Sequence, residues 1–198
     1  MGLFRAPKKL GGSGYLTGQM LIAMPTMPDN RFARSLIYVC AHSDRGAMGL
    51  VVNKPVSTQI TFRELLRQLA IPFKAPSPPV PVQYGGPMEM GRGFVLHSSD
   101  YKADSTTLDV SNNFRLTATI DILKDLAAGD GPEKAMVALG YAGWDAGQLE
   151  GEIHKNGWLN CDADNELLFG PDLDRKWHKA IKKLGVDLAK LSDRTGHA

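Results

Sequence analysis

The chain has 198 residues, of which 43% are hydrophobic and 22% are charged, as in an ordinary globular protein. Its formal net charge of +2 gives no overall field of the kind that favours nucleic acid or a membrane surface. The chain has two cysteines, Cys40 and Cys161, which are far apart and not in a metal-type spacing, and a secreted disulfide framework would use more of them. The first residues lack the apolar run of a signal peptide, and no stretch reaches membrane-span length. We therefore expect a cytoplasmic protein without membrane contact.

The first third of the chain predicts a tail, a set of strands and a short helix. Residues 1–14 mix glycine, lysine and proline without periodicity, so we expect a flexible basic tail ahead of one globular domain over 15–198. Thr61 with Glu64 three residues later is typical of a capping box, and it predicts a helix start. The apolar runs predict three strands, the last two paired as a hairpin: 18–24, 35–42 and 47–53.

Residues 72–87 hold six of the twelve prolines and predict a stiff surface loop that leads into a strand. Whether this loop is a lid or only a connector stays open.

The rest of the chain predicts further strands and helices. The predicted strands are 93–99, a hairpin over 106–119, 134–142 and 157–161. A helix is predicted to end at Gly129, with Ile120, Leu123 and Ala127 on one face, and short helices are predicted at 145–153 and 164–169. A last helix is predicted from Asp172, with a core stripe of Trp177, Ile181 and Leu184.

These strands come in hairpin-like groups with helices between them, rather than in regular βαβ alternation. The pattern therefore favours an α+β fold with a mostly antiparallel sheet.

The helix at 145–153 raises a question, because it carries Gly147 and Gly151, and an interior glycine costs a helix roughly 1 kcal/mol. Two explanations are open: another backbone packs closely against the glycines, or they leave room for a ligand. Close packing is the more frequent reason. Asp145 is expected to cap this helix, with Gln148 reaching back to it.

Three stretches also carry a family resemblance, and together they run from residue 18 to residue 159. They are GQMLIAMPTMPDNRFARSLIYVCAHSDRGAMGLVVNKP, YGGPMEMGRGFVLHS, and LGYAGWDAGQLEGEI with NGWL after it. In this order they resemble the YqgE/AlgH family of bacterial proteins. The resemblance implies a bifurcated, mainly antiparallel sheet folded into a pseudo-barrel with flanking helices. That family has no established enzymatic activity, so it implies no catalytic residues; its name suggests a role in transcriptional regulation, which need not involve DNA contact.

Four polar residues at predicted strand ends, His42, Asn53, Arg92 and His97, form the first candidate site. They could converge at one sheet edge and bind an anion or a polar metabolite, with help from the backbone of nearby glycines (Gly85, Gly86, Gly91 and Gly93). The alternative is that they cap turns and satisfy loose backbone groups, which is the more frequent role.

Aromatic residues at the start of the glycine-bearing helix form the second candidate. Tyr141 and Trp144 flank Asp145, and Trp158 follows the helix. They could line a binding cleft, because a helix N-terminus attracts anions. Asp145 already occupies that positive end, however, which favours a core role for the aromatic residues.

No catalytic residue, metal or cofactor is predicted. Cys40 and His42 would share a face of a regular strand, but Cys40 lies in an apolar run that is typical of a buried thiol. The acidic stretch DADNELLFG resembles a calcium loop, yet Leu167 stands where that loop needs glycine.

Three classes of function remain. We favour a non-enzymatic regulatory protein that binds an unknown protein partner. The first alternative is a small-metabolite binder or an enzyme that uses the polar strand ends. The second is a direct DNA binder through the basic C-terminal helix, where residues 172–198 carry seven Lys/Arg against four Asp/Glu; this class is disfavoured because acidic residues would face the phosphates. The sequence does not fix an oligomeric state.

Overall fold

The computed structural model describes residues 15–58, 60–73, 79–102 and 106–185. The tail expected at 1–14 lies outside these residues, as does the part of the basic C-terminal segment that follows Gly185. The described strands are β1 (Gln19–Ala23), β2 (Leu36–Ser43), β3 (Gly46–Val51), β4 (Val82–Tyr84), β5 (Met88–Ser98), β6 (Thr107–Asp109), β7 (Phe114–Thr117), β8 (Ala135–Asp145) and β9 (Trp158–Asp162). The described helices are α1 (Phe62–Gln68), α2 (Ile120–Ala128), α3 (Gln148–His154), α4 (Asn165–Phe169) and α5 (Leu173–Lys183).

These strands form one sheet in the order β6-β7-β5-β8-β3-β2-β1-β9, with β4 placed beside β8. The pair of β4 and β8 is parallel, and the other strand pairs are antiparallel. The predicted α+β class with a mostly antiparallel, bifurcated sheet that curls as a partial barrel is therefore confirmed.

The sheet divides at strand β8. The first half of β8 lies between β5 and β4, whereas its last residues pair with β3. The strand changes direction at Gly140, whose φ of 74° is a left-handed conformation that favours glycine. Gly85 closes the gap at this point, because its N–H donates to the Leu139 carbonyl and its own carbonyl accepts from the Val51 N–H, both at 2.8 Å. We call the contact of Gly85 and Gly86 with β8 the junction.

Helices cover the sheet in three places, because each presents one apolar stripe. Helices α4 and α5 contribute Leu168 and Trp177 to the largest core cluster. Helix α3 contributes Leu149 to a second cluster, and α1 and α2 pack in a third with the β5 and β8 side chains. The capping box predicted at Thr61 and Glu64 is confirmed at the start of α1.

Several stripe and boundary predictions were wrong. In α2 the predicted Ala127 is buried and Leu123 is partly buried, but Ile120 is exposed, and Ile122 and Leu126 complete the buried face instead. Leu184 is also exposed, because it comes after the last turn of α5. Strand β5 begins at Met88 rather than at 93, and the end of the proline-rich segment forms the short strand β4.

The glycines near α3 do not serve close packing. A Cβ built on Gly147 or Gly151 would meet no atom within 4 Å, so the packing interpretation was wrong. Gly147 precedes the helix with φ of 74°, which explains glycine there by backbone conformation. Asp145 does not cap the helix, but its N–H does donate to the Gln148 side chain at 3.0 Å, as predicted for that residue.

Candidate functional site

Trp144 belongs to a carboxylate-centred contact that ties α3 to two strands. The indole N–H groups of Trp144 in β8 and Trp158 in β9 both donate to Oε2 of Glu152, at 3.0 and 2.7 Å. Gln148 donates to Oε1 of the same carboxylate at 2.9 Å. The two indole rings meet edge to face with centroids 6.0 Å apart. Trp144 is therefore a buried core residue, and Glu152 is the residue that sequence reasoning missed here.

Replacing Glu152 by glutamine tests this contact. The substitution removes the negative charge that strengthens two indole hydrogen bonds, and charge-assisted bonds contribute about 1.5–3 kcal/mol each. We expect the free energy of unfolding in urea to fall by about 2 kcal/mol. Glu133→Gln makes the same chemical change at an exposed side chain and should alter stability by less than about 0.5 kcal/mol. Equal stability of the two variants would contradict a stabilising role for the carboxylate.

His42 is buried and fully engaged on the same side of the sheet. Its Nδ1 accepts from the Leu16 N–H at 3.0 Å, so the proton lies on Nε2, which donates to Glu150 Oε1 at 3.0 Å. Its backbone N–H donates to Thr17 Oγ1 at 2.9 Å, and Tyr15 packs edge to face on the ring. His42 thus fastens the segment before β1 and helix α3 to strand β2.

Cys40 and His42 do not form a nucleophilic pair. The ladder between β2 and β3 shifts its register between Val39 and Ala41, so Cys40 is an extra, bulged residue. The bulge reverses the alternation, and His42 therefore points to the opposite face from Cys40; the expectation of a shared face was wrong. Burial of the Cys40 thiol raises its pKa, which keeps it protonated and unreactive.

His97, a residue of β5, is fully buried and has an environment different from those of Trp144 and His42. Its Nδ1 donates to the Ser98 carbonyl at 2.8 Å, and its Nε2 accepts from the Thr117 hydroxyl at 2.9 Å. Thr107 continues this chain with a 2.8 Å bond to Thr117. Burial lowers the pKa of His97, in keeping with a neutral ring that holds two neighbouring strands together.

Asn53 fixes the backbone at the start of β2 through two hydrogen bonds. Its Oδ1 accepts from the Leu36 N–H at 2.8 Å, and its Nδ2 donates to the Arg34 carbonyl at 2.9 Å. These bonds satisfy backbone groups beside Arg34, which has the left-handed φ of 52°. The structure therefore does not bring His42, Asn53 and His97 together; each satisfies its own neighbours.

Arg92 and Tyr141 are the two candidate residues that the structure does bring together. Arg92 Nη1 and the Tyr141 hydroxyl both donate to the carboxylate of Glu89, each at 3.3 Å. The guanidinium lies over the Phe94 ring, 5.0 Å from its centroid, and Tyr141 packs edge to face on the same ring. Burial, and after it the charge of Glu89, raises the pKa of Tyr141, so its hydroxyl stays a donor.

Two methionines complete this surface. Met88 is 43% exposed and Met90 is 45% exposed, among the most exposed large apolar side chains of the described residues. We call Met88, Glu89, Met90, Arg92 and Tyr141 the β5 patch. Sequence reasoning missed its first three residues because MEMGRG has no regular alternation, although the stretch lies inside a family-like motif.

The junction holds the β5 patch in place. A Cβ on Gly85 would lie 2.2 Å from the Gly140 carbonyl oxygen, and one on Gly86 would lie 2.1 Å from the Tyr141 carbonyl carbon. These glycines therefore let two backbones touch, directly before Met88 pairs with Tyr141. Of the glycines considered for ligand binding, Gly91 has no atom within 4 Å of a Cβ and remains open.

A separate cavity of about 190 Å³ lies beside the proline-rich segment. Pro79, Val80 and Pro81 form one side, and the end of α2 with residues 131–135 forms another. None of the six candidate residues lines it. The expectation of a metabolite bound by polar strand ends therefore finds no support in this cavity.

The basic helix α5 uses its lysines for internal contacts. Lys179 pairs with Glu166, and Lys183 pairs with Asp164 at 2.8 Å. Lys176 is only 1% exposed, and its ammonium donates to the carbonyls of Val52 and Leu168 at 2.9 and 2.8 Å. Much of the positive charge of the described part of this helix is therefore neutralised or buried.

The described ranges contain neither a metal-type cluster of side chains nor a helix of membrane-spanning character. These residues contain no group of three or more His, Cys, Asp or Glu side chains arranged to hold a metal ion. None of their helices is both long enough and apolar enough to cross a membrane. The surface that remains as a candidate is the β5 patch.

Comparison with known proteins agrees with the motifs that surround this patch. The sequence profile of the DUF179, AlgH-like, family matches residues 20–189. A UPF0301 protein of Afipia carboxidovorans is 54% identical over all of this chain and 98% of its own length. A UPF0301 protein of Bradyrhizobium diazoefficiens is 52% identical over 97% of this chain and 92% of its own.

Solved structures agree with the fold. The solution structure of the AlgH protein from Pseudomonas aeruginosa is 41% identical, with a TM-score of 0.74 over 96% of this chain and all of that one. The crystal structure of DIP2367 from Corynebacterium diphtheriae is 16% identical with a TM-score of 0.69 over 96% of this chain, and it shares the fold. The resemblance of the three motifs is thereby confirmed, and the chain belongs to the AlgH-like family of UPF0301 proteins, whose function is uncharacterised.

Proposed function

We propose that this chain is a non-enzymatic binding protein that recognises a protein partner through the β5 patch. The observation that carries the proposal is the exposure of two methionines around a Tyr141–Glu89–Arg92 cluster. Methionine, tyrosine and arginine are the residue types enriched at protein interfaces, because they combine large contact area with adaptable or planar polar groups. Exposed apolar side chains such as Met88 and Met90 have a cost in water that a partner would relieve.

Binding is favoured over catalysis because the other polar candidate residues are engaged in structural hydrogen bonds. His42, Asn53 and His97 each have hydrogen-bond partners that their position in the fold already supplies. A general base or nucleophile would need a free lone pair or thiolate directed at an open space. The only exposed charged groups in the β5 patch are Glu89 and Arg92, which are suited to recognition.

Any influence on transcription would pass through the partner rather than through DNA contact by α5. Of the lysines of this helix, Lys179 and Lys183 are paired with carboxylates, and Lys176 is buried. A DNA-binding helix needs free cations that face the phosphates. The free, buried thiols of Cys40 and Cys161 support a reducing compartment, which we take to be the cytoplasm.

The proposal is tested by placing a photo-crosslinking amino acid at position 90 of the full chain in living cells. We expect a discrete adduct from position 90 and none from position 69. Leu69 is the matched control, because it is an exposed side chain of similar size at the C-terminal cap of α1 and lies outside the β5 patch. Irradiated samples would be resolved by denaturing electrophoresis, and the adduct identified by mass spectrometry.

Two substitutions decide whether the adduct reports recognition by the β5 patch. Arg92→Ala should reduce the yield at position 90 at least about fivefold, because hot-spot arginines contribute more than 1 kcal/mol. Arg67→Ala, at an exposed arginine of α1, should leave it unchanged. No adduct at position 90, or equal yields in the two arginine variants, would overturn the proposal.

A further inference from the structure

The β5 patch carries a charge pattern that is complementary to itself. Glu89 and Arg92 are both about half exposed, at 53% and 54% of their side-chain surface, and they lie three residues apart on one exposed segment. Their internal contact is long, at 3.3 Å, so little energy is lost if each takes a new partner. A surface with one positive and one negative group at symmetric positions can pair with its own copy across a two-fold axis.

The segment that carries these charges has no paired strand on either side. Strand β7 pairs with β5 only over residues 95–98, and the register with β8 shifts between Met88 and Gly93. Residues 89–92 therefore have no strand partner within the described part of the chain. Glu89 has a left-handed φ of 46°, which interrupts a regular ladder, so contacts here would be made by side chains.

We infer that the partner recognised by the β5 patch includes a second copy of this chain, bound with its residues 88–93 antiparallel to those of the first. This inference rests on the proposed function and names its partner. With the two-fold axis between residues 90 and 91, Glu89 of each copy lies opposite Arg92 of the other. Each Met90 then lies over the other copy's Gly91, where a Cβ would meet nothing within 4 Å and the thioether has room.

The geometry gives a specific signature in charge-reversed variants. Glu89→Arg places two guanidinium groups opposite each other in both halves of the interface, and Arg92→Glu places two carboxylates opposite each other. Each variant alone should therefore associate at least about tenfold more weakly than the wild type, since like charges across an interface are strongly unfavourable. A mixture of the two variants pairs a doubly positive segment with a doubly negative one, so both charge pairs between the copies are again opposite in sign. The mixture should associate within about threefold of the wild type.

The test is sedimentation velocity of the full chain from about 10 μM to about 1 mM, a range in which weak specific complexes become populated. We expect a dimer in the wild type, a dissociation constant at least about tenfold higher in each variant alone, and a heterodimer in the equimolar mixture with a dissociation constant near that of the wild type. Thermal unfolding of each variant checks that the exposed substitutions leave the fold intact. A defect of folding would not be repaired by mixing, so the mixture separates a lost interface from a damaged chain.

Three results would overturn the inference. They are a wild type that stays monomeric throughout this range, a dimer that neither charge reversal weakens, and a mixture that stays as monomeric as its components. The crosslinking experiment distinguishes this failure from failure of the proposed function. An Arg92-dependent adduct with a different protein would retain the function and reject the second copy, whereas the absence of an adduct would reject the function itself.

Discussion

Replacing Gly85 by alanine is expected to lower the free energy of unfolding by about 3 kcal/mol or more, at the upper end of the range for overpacked sites. The added Cβ would lie 2.2 Å from the Gly140 carbonyl oxygen and 2.9 Å from the Ala138 Cβ. Neither atom belongs to a flexible side chain, so the backbones of β4 and β8 would have to separate. The separation would also strain the bonds from Gly85 to Leu139 and Val51, which close the divided sheet.

Gly91→Ala supplies the matched control, because its new methyl group meets open space at a position without a left-handed φ. It should change stability by less than about 0.5 kcal/mol. Urea unfolding followed by tryptophan fluorescence measures both variants, and reduced soluble yield of Gly85→Ala would agree with the expected loss. If the urea unfolding curves of the two variants had equal midpoints and slopes, the backbone of β8 could shift at Gly140 to accept the methyl group, and the junction would not be rigid.

The local elements of this fold could be predicted because their signals lie within a few residues. The capping box at Thr61 and Glu64, the left-handed Gly129 that ends α2, and the Asp172 cap of α5 each depend on neighbours one turn away or less. The hairpin of β2 and β3 could likewise be predicted from two apolar runs and a short turn. Strand grouping then gave the α+β class.

Contacts between distant segments could not be predicted in the same way. The bulge at Cys40 shifts His42 to the other face, and no local pattern in SLIYVCAH marks it. Glu152 and Lys176 are charged residues on short helices, and their roles depend on indoles and carbonyls that the sheet brings to them. Gly85 was considered for ligand binding because the sequence cannot show that Gly140 lies against it.

Only part of the candidate site could be predicted, because it also depends on contacts between distant segments. Arg92 and Tyr141 were singled out beside family-like motifs, and the fold brings them together through Glu89. Glu89, which joins them, belongs to the exposed start of β5, where the sequence shows neither strand alternation nor helical spacing. His42, Asn53 and His97 were expected to converge with Arg92 because polar groups at strand ends often do. A divided sheet separates those ends into different environments, and each residue there satisfies local backbone or side-chain groups.

The free energy of unfolding is expected to increase as the pH rises from about 8 to about 10.5, because buried Lys176 loses its proton in the folded state. Burial lowers the pKa of this lysine to about 8, against an ordinary value of 10.5. Within this interval the unfolded chain holds the proton and the folded chain has released it, so the free energy of unfolding increases with pH. The full gain is about 3 kcal/mol, at about 1.4 kcal/mol for each unit of pKa difference. Below pH 8 both states are protonated, and the cost of the buried charge is fully present.

Lys176→Met should abolish this gain, because methionine fills similar volume without a titrating group. Other alkaline transitions occur in both proteins, so the stability difference between wild type and variant isolates the lysine. That difference should shift in favour of the wild type by about 3 kcal/mol between pH 7.5 and 10.5, measured by urea unfolding. Lys182→Met, at an exposed lysine of the same helix, should keep the wild-type pH dependence. A constant difference for Lys176→Met would mean that the folded protein keeps its buried ammonium charged, and that the carbonyls of Val52 and Leu168 compensate for the water it has lost.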